Sequence, residues 1–254
     1  MLKHKRQSEA MKMAVTRGKS RLKTIVQDWR FRHLGSLVLA TILVLAFAAL
    51  RPDWSPMHKW NRAFADASIV LIAAVMLVGP LSRLWRKANA LIPWRRELGV
   101  WGVLASFVHF GFILFGWVEL EWQRLFGLVF HPDLQYYVMF DKGFGLANVI
   151  GIVAMLYALV LALSSNDFSQ RWMSMPVWKF IQQSAYILWA LIVAHTAYFL
   201  FIHFLDFHRQ TPEPNILQAA FVGLVIVTYG VQYLASLRTW KTRKQRRSAE
   251  RANG

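Results

Sequence analysis

The apolar residues of this chain fall in six long blocks, separated by short charged or proline-containing segments. The blocks run over Leu34–Leu50, Ala63–Leu81, Leu98–Val118, Gly145–Ser164, Trp178–His203 and Ile216–Leu237. A stretch of about 20 apolar residues crosses the hydrocarbon core of a bilayer as a helix. A soluble helix carries a narrower apolar stripe with polar residues on its other face. The pattern therefore predicts an all-α, polytopic membrane bundle of six transmembrane helices. Residues 1–33 read as a basic tail, 34–237 as the membrane domain and 238–254 as a second basic tail. Within the first tail, Leu22–Trp29 is weakly amphipathic and reads either as a helix on the inner leaflet or as solvated chain.

Charge sets the direction of the six crossings. Of the 30 Lys and Arg residues, ten precede His33, five lie between Leu81 and Leu98, two (Arg171 and Lys179) flank the fifth block, and seven run from Arg238 to Arg251. With an even number of spans these 24 residues share one side. Asp53, Glu119, Glu121, Asp133, Asp141, Asp206 and Glu213 share the other. Lys and Arg gather on the cytoplasmic side of membrane proteins, so both termini are expected there. The formal charge of +17 then needs no nucleic acid to explain it. Contact with anionic lipid headgroups follows from the same placement. The first apolar block, behind its long charged segment, reads as an uncleaved anchor.

The chain contains no cysteine, which removes disulfides, thiolate chemistry and iron–sulfur ligation from consideration. Gly79-Pro80 is expected to end or kink the second span near the inner surface. The region from Glu119 to Phe144 carries Trp122, Phe126, Phe130, Tyr136, Tyr137 and Phe140. It reads as an interfacial helix, or a cap at headgroup depth, or the cover of a cofactor edge.

Two of the eight histidines, His109 and His195, lie deep inside apolar blocks, and His203 closes the fifth. Ionisable residues at membrane depth are costly and mark function. By helical rise His109 lies about 20 Å past Arg96 and about 15 Å before Glu119; His195 lies about 24 Å past Lys179 and about 16 Å before Asp206. The two spans run in the same direction, so the imidazoles fall level, in the outer half of the membrane. Two such histidines can clamp a haem as axial ligands, hydrogen-bond across helices, or serve a proton path or metal site. Ala105, Gly111, Ala194 and Ala197 leave room nearby, and Phe107, Phe110 and Tyr198 can pack on a macrocycle. His203, eight residues beyond His195, reads as an interfacial residue or as a partner of a haem propionate.

Four segments carry a family resemblance: Gly79-Pro80-Leu81-Ser82-Arg83; Arg95-Arg96-Glu97-Leu98-Gly99-Val100-Trp101 leading to His109; Leu161-Ala162-Leu163-Ser164-Ser165; and Trp178 followed by Tyr186 and His195. Over roughly residues 35–237 the chain resembles the ferric-reductase-like transmembrane family. Within it, the chain is most similar to the haem-binding membrane subunits of bacterial periplasmic methionine sulfoxide reductase systems. The resemblance implies a six-helix b-type cytochrome, the electron-transfer subunit of an oxidoreductase system, with haem ligands on the third and fifth spans. His109 and His195 match them. It implies a cytoplasmic flavin reductase or a membrane quinol as donor, and a periplasmic molybdenum-containing reductase as acceptor. Where the family usually has a further histidine, 13 residues before the position of His195, this chain has Gln182. One haem b is expected rather than two.

A single haem in the outer half leaves about 20 Å to the inner surface by helical rise. FMN or a quinone bound between would shorten that path. Arg83, Arg95 and Arg96 suit a flavin phosphate or haem propionates through bidentate contacts, or serve only the positive-inside rule. Gln182 suits hydrogen bonding to a quinone or isoalloxazine ring, or is simply a polar residue at a helix start. Two other functions fit less of the pattern: a transmembrane ferric reductase or haem relay to another exported acceptor, and a cofactor-free structural or transport subunit.

Overall fold

The computed structural model describes residues 28–203 and 216–252. His4, most of the Leu22–Trp29 stretch, and Asp206, His208, Pro212, Glu213 and Pro214 lie outside the described residues. Six helices are long and apolar enough to cross a membrane, one for each apolar block. The first, α1 (Trp29–Ala49), starts where the Asp28 side chain accepts a hydrogen bond from the Arg30 amide at 2.9 Å. It begins five residues before the apolar block because the basic residues Arg30 and Arg32 continue the helix.

The second helix, α2 (Pro56–Leu84), opens on Pro56, whose fixed φ suits a first helical turn. Pro80 lies inside the helix, which runs four residues further to Leu84, so the Gly79-Pro80 pair does not end it. Half of its apolar window is buried, the largest share of any span, and it forms the centre of the bundle. Ala63, Ala67 and Ala73 are fully buried along it, and such small residues let neighbouring backbones approach. A short 3₁₀ segment, Arg86–Trp94, then leads into α3 (Arg95–Phe112). At Gly102 a Cβ would lie 3.2 Å from Leu71 and Ile72, and Ser68 donates to the Gly102 carbonyl at 2.8 Å. Those contacts fix α3 on α2.

α3 passes into a π-helical turn, Ile113–Trp117. The connection beyond it is a one-turn helix α4 (Trp122–Leu125) and a β-hairpin, β1 (Leu128–His131) with β2 (Tyr136–Met139). The strands are antiparallel, with Leu128 opposite Met139 and His131 opposite Tyr136. The region that reads as an interfacial helix, a cap or a cofactor cover is thus one helical turn and a hairpin, with no longer helix in it. Gly127 (φ 76°) closes the hairpin base, where a Cβ would lie 2.1 Å from the Asp141 carbonyl oxygen. Only glycine fits there.

α5 (Lys142–Ser164) is capped by Asp141, which accepts from the Phe144 amide at 2.8 Å. Two short helices, α6 (Asp167–Trp172) and α7 (Met175–Gln183), precede α8 (Ala185–Ala197). α8 also ends in a π-helical turn, Tyr198–Ile202. The last helix, α9 (Ile216–Ala252), packs along α2 and continues well past its apolar part. The fold thus consists of α1, α3 and α9 around α2, with the α5–α8 pair packed against α2 and α3 through Ile72, Val103, Leu188 and Trp189.

Several contacts lock the basic end. Arg32 pairs with the buried Glu97 at 3.0 Å, joining α1 to α3. Arg238 donates to the Leu84 carbonyl and ties α9 to the end of α2. Trp178 donates its indole N–H to the Ser164 carbonyl at 3.0 Å, closing α7 onto α5.

Candidate functional site

The two intramembrane histidines sit on α3 and α8, each a few residues before a π-helical turn. π-turns inside α-helices concentrate at functional sites. His109 Nδ1 lies 3.1 Å from the Asn61 carbonyl oxygen, and His195 Nδ1 lies 2.8 Å from that of Ala147. A carbonyl oxygen only accepts, so each Nδ1 carries the hydrogen and donates it. Each Nε2 then keeps its lone pair, which is the tautomer that binds a metal, oriented by its second nitrogen. Gly151 makes the His195 contact possible: a Cβ there would fall 2.7 Å from the ring.

Both histidines line one cavity of about 1020 Å³ between α2, α3, α5 and α8. Its deeper end is apolar, formed by Ile69, Ile72, Ala154, Ala158, Leu188 and Ile192. Its other end, toward the acidic side, is polar and charged. Arg51, Asn61, Arg62, Asp66 and His203 meet there. Arg51 is buried and pairs with Asp66 at 2.5 Å, while also donating to the Phe47 carbonyl at 3.0 Å. Arg62 stands over the Phe199 ring at 5.6 Å. Among the described residues it makes no ion pair. His203 is buried among Phe144, Tyr198 and Phe199, with ring centroids 5.3 to 5.9 Å away. Among the described residues no hydrogen-bond donor reaches the buried Asn61 side-chain oxygen.

A family comparison covers most of the helices that build this framework, from Arg62 past His109 to two residues before His195. The family described as "Ferric reductase like transmembrane component" covers residues 62–193, just over half of the chain. The chain belongs to that family. As a ferric-reductase-like membrane protein it is a membrane electron-transfer component, and its six membrane-length helices agree with that class.

Of the residues singled out in the sequence, His109, His195 and His203 come together in the cavity. Arg83, Arg95, Arg96 and Gln182 do not line it. Gln182 donates to Ser164 Oγ at 2.9 Å and reaches Ser165 Oγ at 3.4 Å, so its amide cross-links α7 to the end of α5. Arg96 pairs with Asp167 at 2.6 Å, and that guanidinium holds the exposed Asp167 carboxyl below the usual carboxylate range. Arg95 packs its guanidinium over Gly79, and Arg83 is exposed.

The sequence reading missed Arg51, Asn61, Arg62, Asp66 and Gly151. A signal existed for two of them. Arg62 and Asp66 are ionisable, lie at the edge of the second apolar block, and stand four apart on one helical face. Asn61 and Gly151 act through a backbone carbonyl and through a missing side chain, which residue type does not announce.

Among the described residues no group of three or more His, Asp or Glu side chains converges as a metal site. Two tethered imidazoles lining one long cavity suit a group that brings further metal ligands of its own. The cavity also fits a haem in polarity. It offers an apolar end for the macrocycle and, in Arg62, a cation that makes no ion pair among the described residues, for its acid groups.

Proposed function

We propose that the chain is a b-type cytochrome subunit that holds one haem between His109 and His195. In this reading it passes electrons from the cytoplasmic side to an exported reductase. The observation that carries the reading is the matched pair of tethered imidazoles: both Nδ1 atoms are fixed on carbonyls, and both rings line one cavity. A haem bound there would supply a one-electron iron couple. The chain's residues bind it, orient it and keep water from its apolar end. Arg62 is the residue best placed to hold a propionate, with His203 and the Arg51–Asp66 pair beside it. Its position over Phe199 keeps the guanidinium at the charged end of the cavity.

A single haem follows from the basic half of the bundle. Gln182 stands where relatives of this type carry an imidazole, and its amide is engaged by two serines. Among the described residues the only histidine near the basic end is His33, which packs edge-on against Trp29 at the start of α1.

The resemblance of the four sequence segments favours the MsrQ type of subunit. Its acceptor would be a periplasmic molybdenum-containing reductase that repairs oxidised methionine, and its donor a cytoplasmic flavin reductase or a membrane quinol. The basic side then faces the cytoplasm, as the positive-inside rule requires. Of the donor-side residues, Arg83 and Arg95 make no ion pair among the described residues and remain available to a flavin phosphate.

The test is a haem-to-protein ratio on protein expressed with ample haem. A ratio near one is expected. His109→Ala and His195→Ala are each expected to abolish the haem absorbance band while the protein stays folded. A ratio near two, or a band that survives both substitutions, would overturn the assignment.

A further inference from the structure

The last helix does not stop where its apolar residues end. After Leu237, α9 continues to Ala252, an extension of about 22 Å by helical rise. Its basic residues are Arg238, Lys241, Arg243, Lys244, Arg246, Arg247 and Arg251, against the single acidic residue Glu250. All seven basic side chains are exposed. At about 100° per residue they are distributed around the whole helix rather than along one stripe.

That arrangement is electrostatically unfavourable by itself. Arg238 and Lys241, Lys241 and Lys244, Arg243 and Arg247, and Arg247 and Arg251 are like-charged neighbours three or four residues apart. Each such pair destabilises a helix in water. An anionic partner would remove the penalty.

Anionic lipid reaches only the first part of the extension. Surface potential falls off within a Debye length, about 8 Å at physiological salt, and the far charges lie about 20 Å from the end of the span. The extension also lacks the apolar face that lays a helix on a leaflet: Trp240 is its one large apolar residue, and Lys244 stands over that ring at 5.4 Å. Arg238 is tied to the end of α2, which keeps the extension in line with the membrane span. Arg86 and Lys87, just past the end of α2 to which Arg238 is tied, and Arg171 and Lys179 on the same side of the bundle are exposed and add to the same field. On that side Glu97 and Asp167 are already paired, with Arg32 and Arg96.

We propose that the extension from Arg238 to Arg251 is the docking surface for the acidic face of a soluble electron-donor protein. The proposal rests on the reading that electrons enter the molecule from its basic side. Electron-transfer encounters are small and transient, and charge complementarity sets their on-rate more than their contact area does. A cationic rod extending past the headgroups captures an acidic partner and guides it to the end of the bundle.

The experiment uses the full chain in nanodiscs of zwitterionic lipid, with a flavodoxin as the probe because it is an acidic one-electron FMN protein. Binding is read by fluorescence anisotropy, which does not depend on haem. Haem absorbance of the same sample reports separately on the proposed function. Binding is expected to weaken about tenfold or more between roughly 0.05 and 0.5 M salt. A variant with Lys241, Arg243, Lys244, Arg246 and Arg247 changed to Gln is expected to bind about tenfold more weakly at low salt, with a flatter salt dependence. Its haem band is expected to be unchanged. Equal binding by the variant and the native chain would overturn the proposal. A nitroxide on Ser248→Cys, the only thiol in the chain, provides a second reading. Close approach of that label to lipid-anchored nickel in anionic nanodiscs would assign the extension to lipid and also overturn the proposal.

Discussion

A methyl group on residue 151 would lie 2.7 Å from Cε1 of His195 and 2.8 Å from its Nδ1, closer than real Cβ contacts come. Gly151→Ala therefore has to push the ring off the Ala147 carbonyl. Disturbing the outer partner of a ligating histidine typically costs about 10- to 100-fold in metal affinity. Gly151→Ala is expected to lose haem on that scale, read as absorbance per protein, while Gly111→Ala, with open space around its Cβ, keeps it. Alanine is the better helix former by about 1 kcal/mol, so a general loss of helix stability is not the expected cause. Arg62 gives a different signature. If the cavity holds the proposed haem, removing this cation would disfavour the reduced, more negative form. If Arg62→Gln removes about 1 kcal/mol of that stabilisation, the potential falls by about 40 mV, since a tenfold change in a one-electron equilibrium is 59 mV. A redox titration showing no fall would separate Arg62 from the cofactor.

Between elements, the α1–α2 corner depends on the Arg51–Asp66 pair, which also walls the charged end of the cavity. Asp66→Asn removes the negative charge that pairs with the buried Arg51 guanidinium, whose hydrogen bond to the Phe47 carbonyl remains. Breaking a buried pair from one side costs about 3–5 kcal/mol, and somewhat less here because Asp66 is partly exposed. A lower thermal midpoint for Asp66→Asn than for the double variant with Arg51→Met is the expected result. The Arg96–Asp167 contact is looser, exposed and screened by salt. Its carboxyl is held below the ordinary value, so its contribution is present above the unfolded pKa of about 3.9 and is lost as pH falls through the lower folded value. Hydrogen exchange across residues 165–172 is expected to differ between the native chain and Asp167→Asn at neutral pH, and to converge only below about pH 4. At this scale the sequence was partly legible. Each apolar block corresponds to a membrane-length helical span, because length and hydropathy alone decide whether a segment crosses lipid. The hairpin was not legible, because Leu128–His131 and Tyr136–Met139 are apolar on both faces and lack the alternation that marks a half-buried strand. Nor were the two π-turns, since nothing in Ile113–Trp117 or Tyr198–Ile202 departs from ordinary membrane-helix composition.

For the whole molecule, the site exists because α3 and α8 run in the same direction through the bundle. That is a consequence of the even alternation of six spans, so orientation and site stand or fall together. An extra or missing crossing between residues 118 and 175 would reverse one helix and carry His195 to the opposite half of the membrane from His109. The absence of cysteine makes this directly testable. Asn89 lies in the 3₁₀ segment on the basic side, and Leu134 lies at the exposed tip of the hairpin on the acidic side. In intact cells a membrane-impermeant maleimide is expected to label Leu134→Cys and to leave Asn89→Cys untouched until the membrane is permeabilised. Asn166→Cys, between α5 and α6, is expected to behave like Asn89→Cys. Labelling of Asn166→Cys from outside would place α3 and α8 in opposite directions, and no clamp between His109 and His195 could then form.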